Sequence, residues 1–316
     1  MQPAPNRIAV LALTPLPERA RAALQERYEL CALSGASRDE AVAHFAASGV
    51  RAVVTHGSVG ISAAQIAQLP ALEIICAFGT GHENIDVAAA RARGIIVTHA
   101  PGANDATVAD HALGLMLAVA RGFTSLDAAV RNGEWHQART ERAALTGSRL
   151  GIIGLGRIGA KIAARAAAFD MPVSYCSRQA HPEVPWTHRA DVEQLARDSD
   201  FLVAACPGGA ATFHLVNAAV LKALGPEGFL INISRGSVVD TAALIAALES
   251  GAIAGAGLDV FEGEPAIPAA LLQCRNTVFT PHIAGRSPAS ITAQTDMLLA
   301  SLAAHFGGNK VLCHVP

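Results

Sequence analysis

Three residues in the C-terminal half of the chain have the chemistry to act together on a small anionic substrate. Arg235 follows the apolar run GFLINIS, Glu264 follows GLDVFEG, and His282 follows NTVFTP. Such runs are typical of buried strands. Ligands of open α/β sheets bind beyond the carboxyl ends of the strands, so these side chains are expected to meet in one crevice.

Their types fit the reduction of a 2-keto acid. The substrate carboxylate and carbonyl need a permanent cation, which the Arg235 guanidinium supplies. The developing alkoxide needs a proton, which His282 supplies if Glu264 stabilises its protonated ring. Taken singly, Arg235 is as readily explained as a cap or an ion pair, and His282 as a structural histidine. Their shared placement favours the chemical interpretation.

A glycine-rich turn has the form of a dinucleotide-binding loop. Gly154, Gly156 and Gly159 make a GxGxxG pattern between the strand-like run RLGII and the helix-like run RIGAKIAARAAAF. The first glycine would make the tight turn, the second would let the backbone approach a pyrophosphate, and the third would allow close helix packing. A glycine-rich turn can also bind nothing, but the strand before it and the helix after it favour a dinucleotide.

The end of the next apolar run indicates which dinucleotide is bound. About 20 residues beyond the glycines, an NAD site carries an acidic residue for the ribose hydroxyl. This chain has Ser177-Arg178-Gln179 there, with no Asp or Glu between Met171 and Pro182. An arginine beside a hydroxyl suits the 2′-phosphate of NADP. We therefore expect NADP(H), with NAD bound less well; the alternative is that Arg178 is a solvated charge and other groups hold an NAD ribose.

Alternating strand and helix patterns must position these residues. Short apolar runs separated by helix-like stretches recur from Arg7 to Pro101, and a second such series begins at Arg149. This alternation implies an α/β fold with two doubly wound parallel sheets, each covered on both faces. One long helical region is expected between the series, from Ala106 to about Trp135, with Gly133 as its breaker.

The last segment, Ser287 to about Phe306, is an apolar helix with no strand after it. We expect it to pack back on the first series. The substrate-binding domain would then be discontinuous, residues 1–101 and 287–316, and the nucleotide-binding domain, residues 102–286, would be inserted within it.

Composition excludes several classes of function. The 316 residues are 51% apolar and carry a formal net charge of −2, with no block of Lys or Arg that nucleic acid or an anionic membrane would need. No leader or membrane-spanning run is apparent near the start, so a cytoplasmic protein is expected. The six cysteines form no CxxC pair, which favours free thiols over disulfides or a metal site.

The segment INISRG, the run VVDTAALIAALESGAIAGAGLDVFEGEP and the segment FTPHIAG together resemble the signature region of the D-isomer-specific 2-hydroxyacid dehydrogenases. The resemblance covers nearly the whole chain. It implies a Rossmann domain inserted in a flavodoxin-like substrate domain, and a homodimer joined through the long helical region. It also implies Arg235 as the substrate-orienting residue, His282 as the acid/base, Glu264 as its partner, and Asp259 as a residue near the nicotinamide.

The resemblance extends to contacts with substrate and cofactor. The loop from Phe78 to Asp86 is similar to the family's carboxylate-binding loop, so the N–H groups of Thr80 and Gly81 are expected to bind substrate together with Arg235 and His282; the alternative is a plain strand-to-helix turn capped by Asn84. The expected cofactor-binding residues are Thr107, Gly154, Gly156, Arg157, Ile158, Gly159, Ser177, Arg178, Gln179, Cys206, Pro207, Thr212, Ile233, Ser234, Arg235, Asp259, His282 and Gly285.

One loop departs from the family pattern. After FLVAAC the usual Pro-Leu-Thr-Pro is replaced by Pro207-Gly208-Gly209-Ala210, so cofactor contacts there are expected from the backbone of Cys206 and Pro207.

Ser177-Arg178-Gln179 resembles the NADP-using glyoxylate/hydroxypyruvate reductase branch rather than the NAD-using lactate branch. We therefore expect reduction of glyoxylate or hydroxypyruvate to D-2-hydroxy acids.

Other functions of the same fold stay open. Formate dehydrogenase is disfavoured, because that activity is associated with Gln opposite the histidine and this chain has Glu264. Phosphoglycerate dehydrogenase survives as a weaker alternative. So does an NAD(H)-sensing binding protein of the corepressor kind, because a fold does not fix a function.

Overall fold

The computed structural model describes residues 7–33, 35 and 37–315. Within them the chain forms two compact units, one made of the residues up to Asn104 together with those from Arg286 onward, and one made of Asp105–Gly285. Each unit is built on one parallel β-sheet. The predicted α/β fold, with one doubly wound domain inserted in the other, is confirmed.

The first unit has a five-stranded sheet. Its strands are β1 (Ala9–Ala12), β2 (Glu29–Cys31), β3 (Ala52–Thr55), β4 (Ile74–Ala77) and β5 (Ile96–Thr98), and four of its helices are α1 (Glu18–Arg27), α2 (Arg38–Phe45), α3 (Ala63–Ala67) and α4 (Val87–Ala92). The strand order β2-β1-β3-β4-β5 is that of flavodoxin-like folds. Every residue of β3 and β4 is buried, as expected for apolar runs covered on both faces of a parallel sheet.

The second unit has a seven-stranded sheet. Its strands are β6 (Leu150–Ile153), β7 (Val173–Cys176), β8 (Thr187–His188), β9 (Phe201–Ala204), β10 (Phe229–Asn232), β11 (Gly255–Leu258) and β12 (Thr277–Phe279). The order β12-β11-β10-β9-β6-β7-β8 is that of a Rossmann fold extended by one strand. Its helices are α5 (Asp105–Arg121), α6 (Phe123–Arg131), α7 (Arg157–Ala166), α8 (Val192–Arg197), α9 (Ala218–Leu224), α10 (Thr241–Glu249) and α11 (Ala269–Gln273).

The side chains of β9 show that this sheet is buried on both faces. Phe201 and Val203 pack into one apolar cluster, and Leu202 and Ala204 into the other. Side chains of a strand point alternately to opposite faces, so a continuous apolar run serves two cores at once.

The prediction of one long helical region from Ala106 to about Trp135 is wrong in one respect, because two helices occupy it. Helix α5 ends at Arg121, and α6 begins after Gly122, whose φ of +68° lies in the left-handed region that glycine adopts readily. The two helices are bent by 55° at this break. Helix α6 ends at Arg131, so Trp135 lies beyond it and Gly133 stands in the following turn, with a φ of +77°.

The last helix, α12 (Pro288–Phe306), packs on the first unit. It begins at Ser287, whose hydroxyl accepts the N–H of Ser290, and Pro288 occupies its first turn. Leu298, Leu299 and Leu302 join the apolar cluster formed by β1, β3 and β4. Burial of a leucine side chain contributes about 1.5–3 kcal/mol, so these three anchor the helix firmly.

Among the described residues, no single helix is long and apolar enough to cross a membrane; only the bent pair α5 and α6 passes that test of length and composition together.

Candidate active site

Adjacent strands of the second sheet end on one line, and the candidate site residues follow them. The paired end residues are Cys176, Ile153, Ala204, Asn232, Leu258 and Phe279, each in register with its neighbour across the sheet. Arg235 comes shortly after β10, Glu264 after β11 and His282 after β12. These three side chains therefore leave the same edge of the sheet.

Glu264 and His282 form a hydrogen-bonded pair. Oε2 of Glu264 lies 2.8 Å from Nδ1 of His282, and its Oε1 accepts the Phe261 N–H at 2.7 Å. Partial burial raises the pKa of the Glu264 carboxyl, but the hydrogen bonds from His282 and Phe261 and the charges of His282 and Arg235 outweigh it, so the pKa is lowered. The carboxylate is thus ionised throughout the neutral range, as a partner for a protonated imidazole requires.

Hydrogen bonds with two residues that precede it hold Arg235 in place. Its Nη1 donates to the Ser234 carbonyl at 2.6 Å, and the Asn232 amide donates to the Arg235 carbonyl at 3.0 Å. The guanidinium is close enough to Glu264 for its charge to lower the pKa of that carboxyl. The cation, the carboxylate and the imidazole predicted from sequence therefore form one electrostatic group.

Asp259 fixes the loop that carries His282. Its carboxylate accepts the Thr280 hydroxyl at 2.6 Å and the N–H groups of Ile283 and Ala284 at 2.9 Å each. The His282 N–H donates to the Asp259 carbonyl at 2.8 Å. His282 has a φ of +49°, which is uncommon for a residue with a side chain. Asp259 is 1% exposed, so these contacts hold the strained turn from within the protein.

His111 on α5 completes this network, and sequence reasoning did not find it. Its Nε2 lies 2.9 Å from the Thr280 hydroxyl and 3.6 Å from Oδ1 of Asp259. Its partner lies far away in the sequence, and no local pattern at His111 marks the contact.

The glycine loop leaves space at one position only. Gly154 has a φ of +95°, and a Cβ there would lie 2.7 Å from Cα of Cys206. A Cβ on Gly159 would collide with the Gly154 carbonyl, whereas a Cβ on Gly156 would meet nothing within 4 Å. Gly156 also precedes α7, whose first N–H groups have no partner within the helix. An open backbone surface at a helix N-terminus fits a pyrophosphate.

A buried carboxylate holds the arginine of this loop. Nε of Arg157 lies 2.8 Å from Oδ2 of Asp105, which is 2% exposed, while the Arg157 side chain is 66% exposed. Oδ1 of Asp105 is buried and has no hydrogen-bond partner among the described residues. The sequence did not reveal this pair, because an acidic residue at a helix start is common for local reasons.

The candidate 2′-phosphate residues follow β7. Arg178 and Gln179 are exposed, and the Ser177 hydroxyl donates to the Gln179 carbonyl at 2.5 Å. The Ser177 carbonyl lies 3.2 Å from Nε2 of His188 on β8. An exposed arginine and a serine therefore follow β7 directly, at the carboxyl end of that strand.

The other predicted cofactor residues are spread over neighbouring loops of the same unit. Ile233 and Ser234 are buried after β10, and the Ser234 hydroxyl donates to the Cys206 carbonyl. Thr212 donates to the Pro207 carbonyl at 2.7 Å, which closes the loop after β9. Partly exposed positions are Thr107 in α5, Ile158 in α7 and Gly285 after β12. Among the described residues, no group of three or more His, Cys, Asp or Glu is placed to hold a metal ion.

The Thr80–Gly81 loop of the first unit is rigidly held. The Thr80 hydroxyl lies 2.9 Å from the Asn104 amide oxygen and 3.2 Å from the Ala100 carbonyl. Gly57 packs so closely on Gly81 that a Cβ on Gly57 would collide with the Gly81 backbone. The turn containing His56 and Gly57 therefore adjoins the predicted carboxylate loop.

Comparison with known proteins decides the family. The family model for the D-isomer specific 2-hydroxyacid dehydrogenase, NAD binding domain, matches residues 113–284. Over 309 residues the chain is 39% identical to the hydroxyphenylpyruvate reductase of Plectranthus scutellarioides. The aligned region covers 98% of this chain and 99% of that protein. The chain belongs to this family.

Two other members of the D-isomer-specific 2-hydroxyacid dehydrogenases indicate the branch of the family. The glyoxylate/hydroxypyruvate reductase A of Arabidopsis thaliana is 39% identical over 309 residues, with coverage of 98% and 99%. A solved structure of the NADPH-dependent glyoxylate/hydroxypyruvate reductase from Sinorhizobium meliloti, in complex with NADP and malonate, has a TM-score of 0.90 at 36% identity and covers 98% of this chain and 97% of that one. The predicted family and its glyoxylate/hydroxypyruvate reductase branch are confirmed.

Proposed function

We propose that this dehydrogenase reduces short 2-keto acids, such as glyoxylate and hydroxypyruvate, to D-2-hydroxy acids with NADPH. The observation that carries the proposal is the His282–Glu264 hydrogen bond beside Arg235, at the edge of the sheet that also carries the glycine loop. A proton donor with a carboxylate partner, next to a permanent cation, suits a substrate with a carboxylate and a polarised carbonyl.

In the proposed reaction, the bound nicotinamide supplies a hydride to the carbonyl carbon. Arg235 binds the carboxylate and carbonyl oxygens and offsets the negative charge that develops on the carbonyl oxygen. His282 donates a proton to that oxygen. Because Nδ1 of His282 contacts Glu264, we assign the donation to Nε2. Glu264 stays ionised and stabilises the charged imidazole before the transfer.

The substrate carboxylate is also assigned to the Thr80 and Gly81 N–H groups. Support comes from the fixed conformation of this loop, in which Thr80 bonds to Asn104 and Gly57 packs on Gly81. A rigid loop loses little conformational freedom when it binds a ligand.

In the proposed cofactor site, the glycine loop with Arg157 and Ile158 would bind the pyrophosphate. Ser177, Arg178 and Gln179 would bind the 2′-phosphate. The loops after β9, β10 and β12, with Thr107 and Asp259, would contact the remaining parts of the dinucleotide. Two observations support this: the open surface over Gly156, and the exposed guanidinium of Arg178 with no carboxylate in its segment. NADPH is therefore proposed over NADH. A cytoplasmic location remains a prediction.

We also propose a homodimer joined through the region from Ala106 to Trp135. Helix α6 has no buried residue, although Phe123 and Val130 on it and Trp135 just after it are apolar. Their exposed fractions are 52%, 53% and 57%. Large exposed apolar side chains in one segment of the chain favour a protein interface there.

The test is a panel of keto acids and cofactors, with oxidation followed by the absorbance of the reduced nicotinamide. Glyoxylate, hydroxypyruvate, pyruvate and 4-hydroxyphenylpyruvate would each be assayed with NADPH and with NADH, and the product's chirality determined for hydroxypyruvate. We expect the highest kcat/KM for glyoxylate or hydroxypyruvate with NADPH, and a D product. Tight NADPH binding without turnover of any keto acid would contradict the proposal and favour a dinucleotide-sensing protein.

A further inference from the structure

Gly208 lies directly beneath the side chain of Arg235. A Cβ on Gly208 would stand 2.6 Å from Cγ, 3.0 Å from Cβ and 3.8 Å from Cδ of Arg235. Real Cβ contacts are not this short, so in the loop conformation of this chain a side chain at 208 would compete with the Arg235 stem for the same space. The φ of Gly208 is not among the positive values in the chain. Space, rather than backbone conformation, therefore explains the glycine.

The backbone on either side of Arg235 is closely packed. After Arg235, Gly236 passes so close to the segment leading to Glu264 that a Cβ there would collide with the Phe261 backbone. Before it, the Ser234 hydroxyl bonds to the Cys206 carbonyl. The backbone around Arg235 is thus fixed against both neighbouring loops.

The loop that carries Gly208 is fixed as well. Thr212 closes it through the Pro207 carbonyl at 2.7 Å and the Gly209 carbonyl at 3.2 Å. Farther along, the His214 N–H donates to the Ser237 carbonyl at 2.8 Å, and Nε2 of His214 lies 2.8 Å from Oε1 of Glu262. With both loops held, a side chain at 208 can be accommodated chiefly by displacing the methylene stem of Arg235.

We propose that Gly208 is a positioning residue for the Arg235 guanidinium. By leaving its own side-chain volume empty, Gly208 lets the arginine stem cross the loop and place the guanidinium beside Glu264. The inference rests on the proposed function only for the role of Arg235 in binding substrate; the packing of Gly208 against Arg235 is independent of it. A misplacement of about 1 Å in such a group costs about 100-fold in rate.

The first test separates substrate from cofactor. In Gly208→Ala we expect the KM for hydroxypyruvate to rise at least about 10-fold, with a lower kcat, because the guanidinium that binds the carboxylate has moved. The Kd of NADPH, measured by fluorescence titration, should change less than about 3-fold. Ala210→Ser, which adds one atom at an exposed position of the same loop, serves as the control and should leave both constants near those of the parent protein. An unchanged KM in Gly208→Ala, or equal losses for substrate and cofactor, would overturn the proposal.

The second test needs no activity. Thermal unfolding is measured for the parent protein, Gly208→Ala, Arg235→Ala and the double variant. We expect Gly208→Ala to lower Tm in the parent but much less in the Arg235→Ala background, where Cγ and Cδ are gone. If Gly208→Ala alone fails to fold, recovery of folding in the double variant supports the same contact, whereas failure of both variants contradicts it. Equal losses of Tm in the two backgrounds also contradict it. A chain that turns over no keto acid but shows this coupling would reject the proposed function and retain the contact.

Discussion

Oε2 of Glu264 lies 2.8 Å from Nδ1 of His282, while Oε1 of the same carboxylate accepts the Phe261 N–H at 2.7 Å. The carboxylate is therefore oriented by the backbone of its own loop before it meets the imidazole. Such a pair fixes the ring and favours its charged form.

Replacement of Glu264 by Gln tests the electrostatic part of this relationship. The amide keeps the shape but removes the negative charge beside the imidazole that donates the proton. We expect kcat for hydroxypyruvate reduction to fall about 10- to 100-fold, with the NADPH Kd within about 3-fold of the parent. The measurement is kcat and the NADPH Kd of parent and variant at pH 7. An unchanged kcat would contradict the pairing.

The same variant has a predictable effect on stability. Because the pKa of the Glu264 carboxyl is lowered in the folded protein, its contribution is fully present above its ordinary value of about 4.3 and is lost as pH falls through the folded pKa. The difference in Tm between parent and Glu264→Gln should therefore stay nearly constant from pH 7 to 5 and shrink as pH falls below about 4.3. A difference that grows over this range would contradict the sign of the shift.

Asp259→Asn tests the support of the His282 turn. An amide offers one oxygen and one NH₂ group where the carboxylate accepts the Thr280 hydroxyl and two N–H groups, so at least one donor loses its partner. We expect a loss of about 1–3 kcal/mol in unfolding free energy, measured in urea, and a lower kcat. Thr280→Val removes one hydroxyl and should cost less. A normal kcat in Asp259→Asn would show that the turn keeps His282 in place without the carboxylate.

Arg178→Ala tests cofactor choice. Loss of a charge-assisted contact to the 2′-phosphate should weaken NADPH binding by about 10- to 100-fold and leave NADH binding nearly unchanged. The Kd of each cofactor is measured by fluorescence titration, with Arg197→Ala on α8 as the control for loss of an exposed charge. Equal weakening of both cofactors would exclude Arg178 as the 2′-phosphate ligand.

Val130→Glu tests the interface on α6. A charge in an apolar interface is costly, so the variant should sediment as a monomer at concentrations where the parent is a dimer. Leu312→Glu places the same change at another exposed apolar residue, which is 71% exposed, and should leave the assembly unchanged. A parent protein that sediments as a monomer would contradict the dimer proposal itself.

Much of this fold was predictable because parallel strands buried on both faces appear in sequence as continuous apolar runs. The runs around Leu150–Ile153 and Phe201–Ala204 are β6 and β9, and the charged residues after such runs lie on one sheet edge. The break at Gly122 was missed. A glycine within a helical pattern is compatible with a continuous helix, and only its φ of +68° shows that the chain turns there.

What could not be predicted depends on contacts between distant residues. His111 meets Thr280, and Asp105 meets Arg157, across long separations that leave no local pattern. The two glycines after Pro207 indicated only that a threonine side chain was absent. That Gly208 leaves room for Arg235 follows from the packing of two loops, which residue types alone do not specify.

The central claim is that His282 donates the proton in reduction of a 2-keto acid, and His282→Asn tests it most directly. Asparagine tolerates the positive φ of this position better than alanine does, so the turn should be kept while the proton donor is lost. The measurement compares NADPH oxidation by hydroxypyruvate in parent and variant, with the NADPH Kd of each. We predict a loss of turnover of about 100- to 10,000-fold and an NADPH Kd within about 3-fold of the parent. Near-normal turnover in His282→Asn would contradict the account.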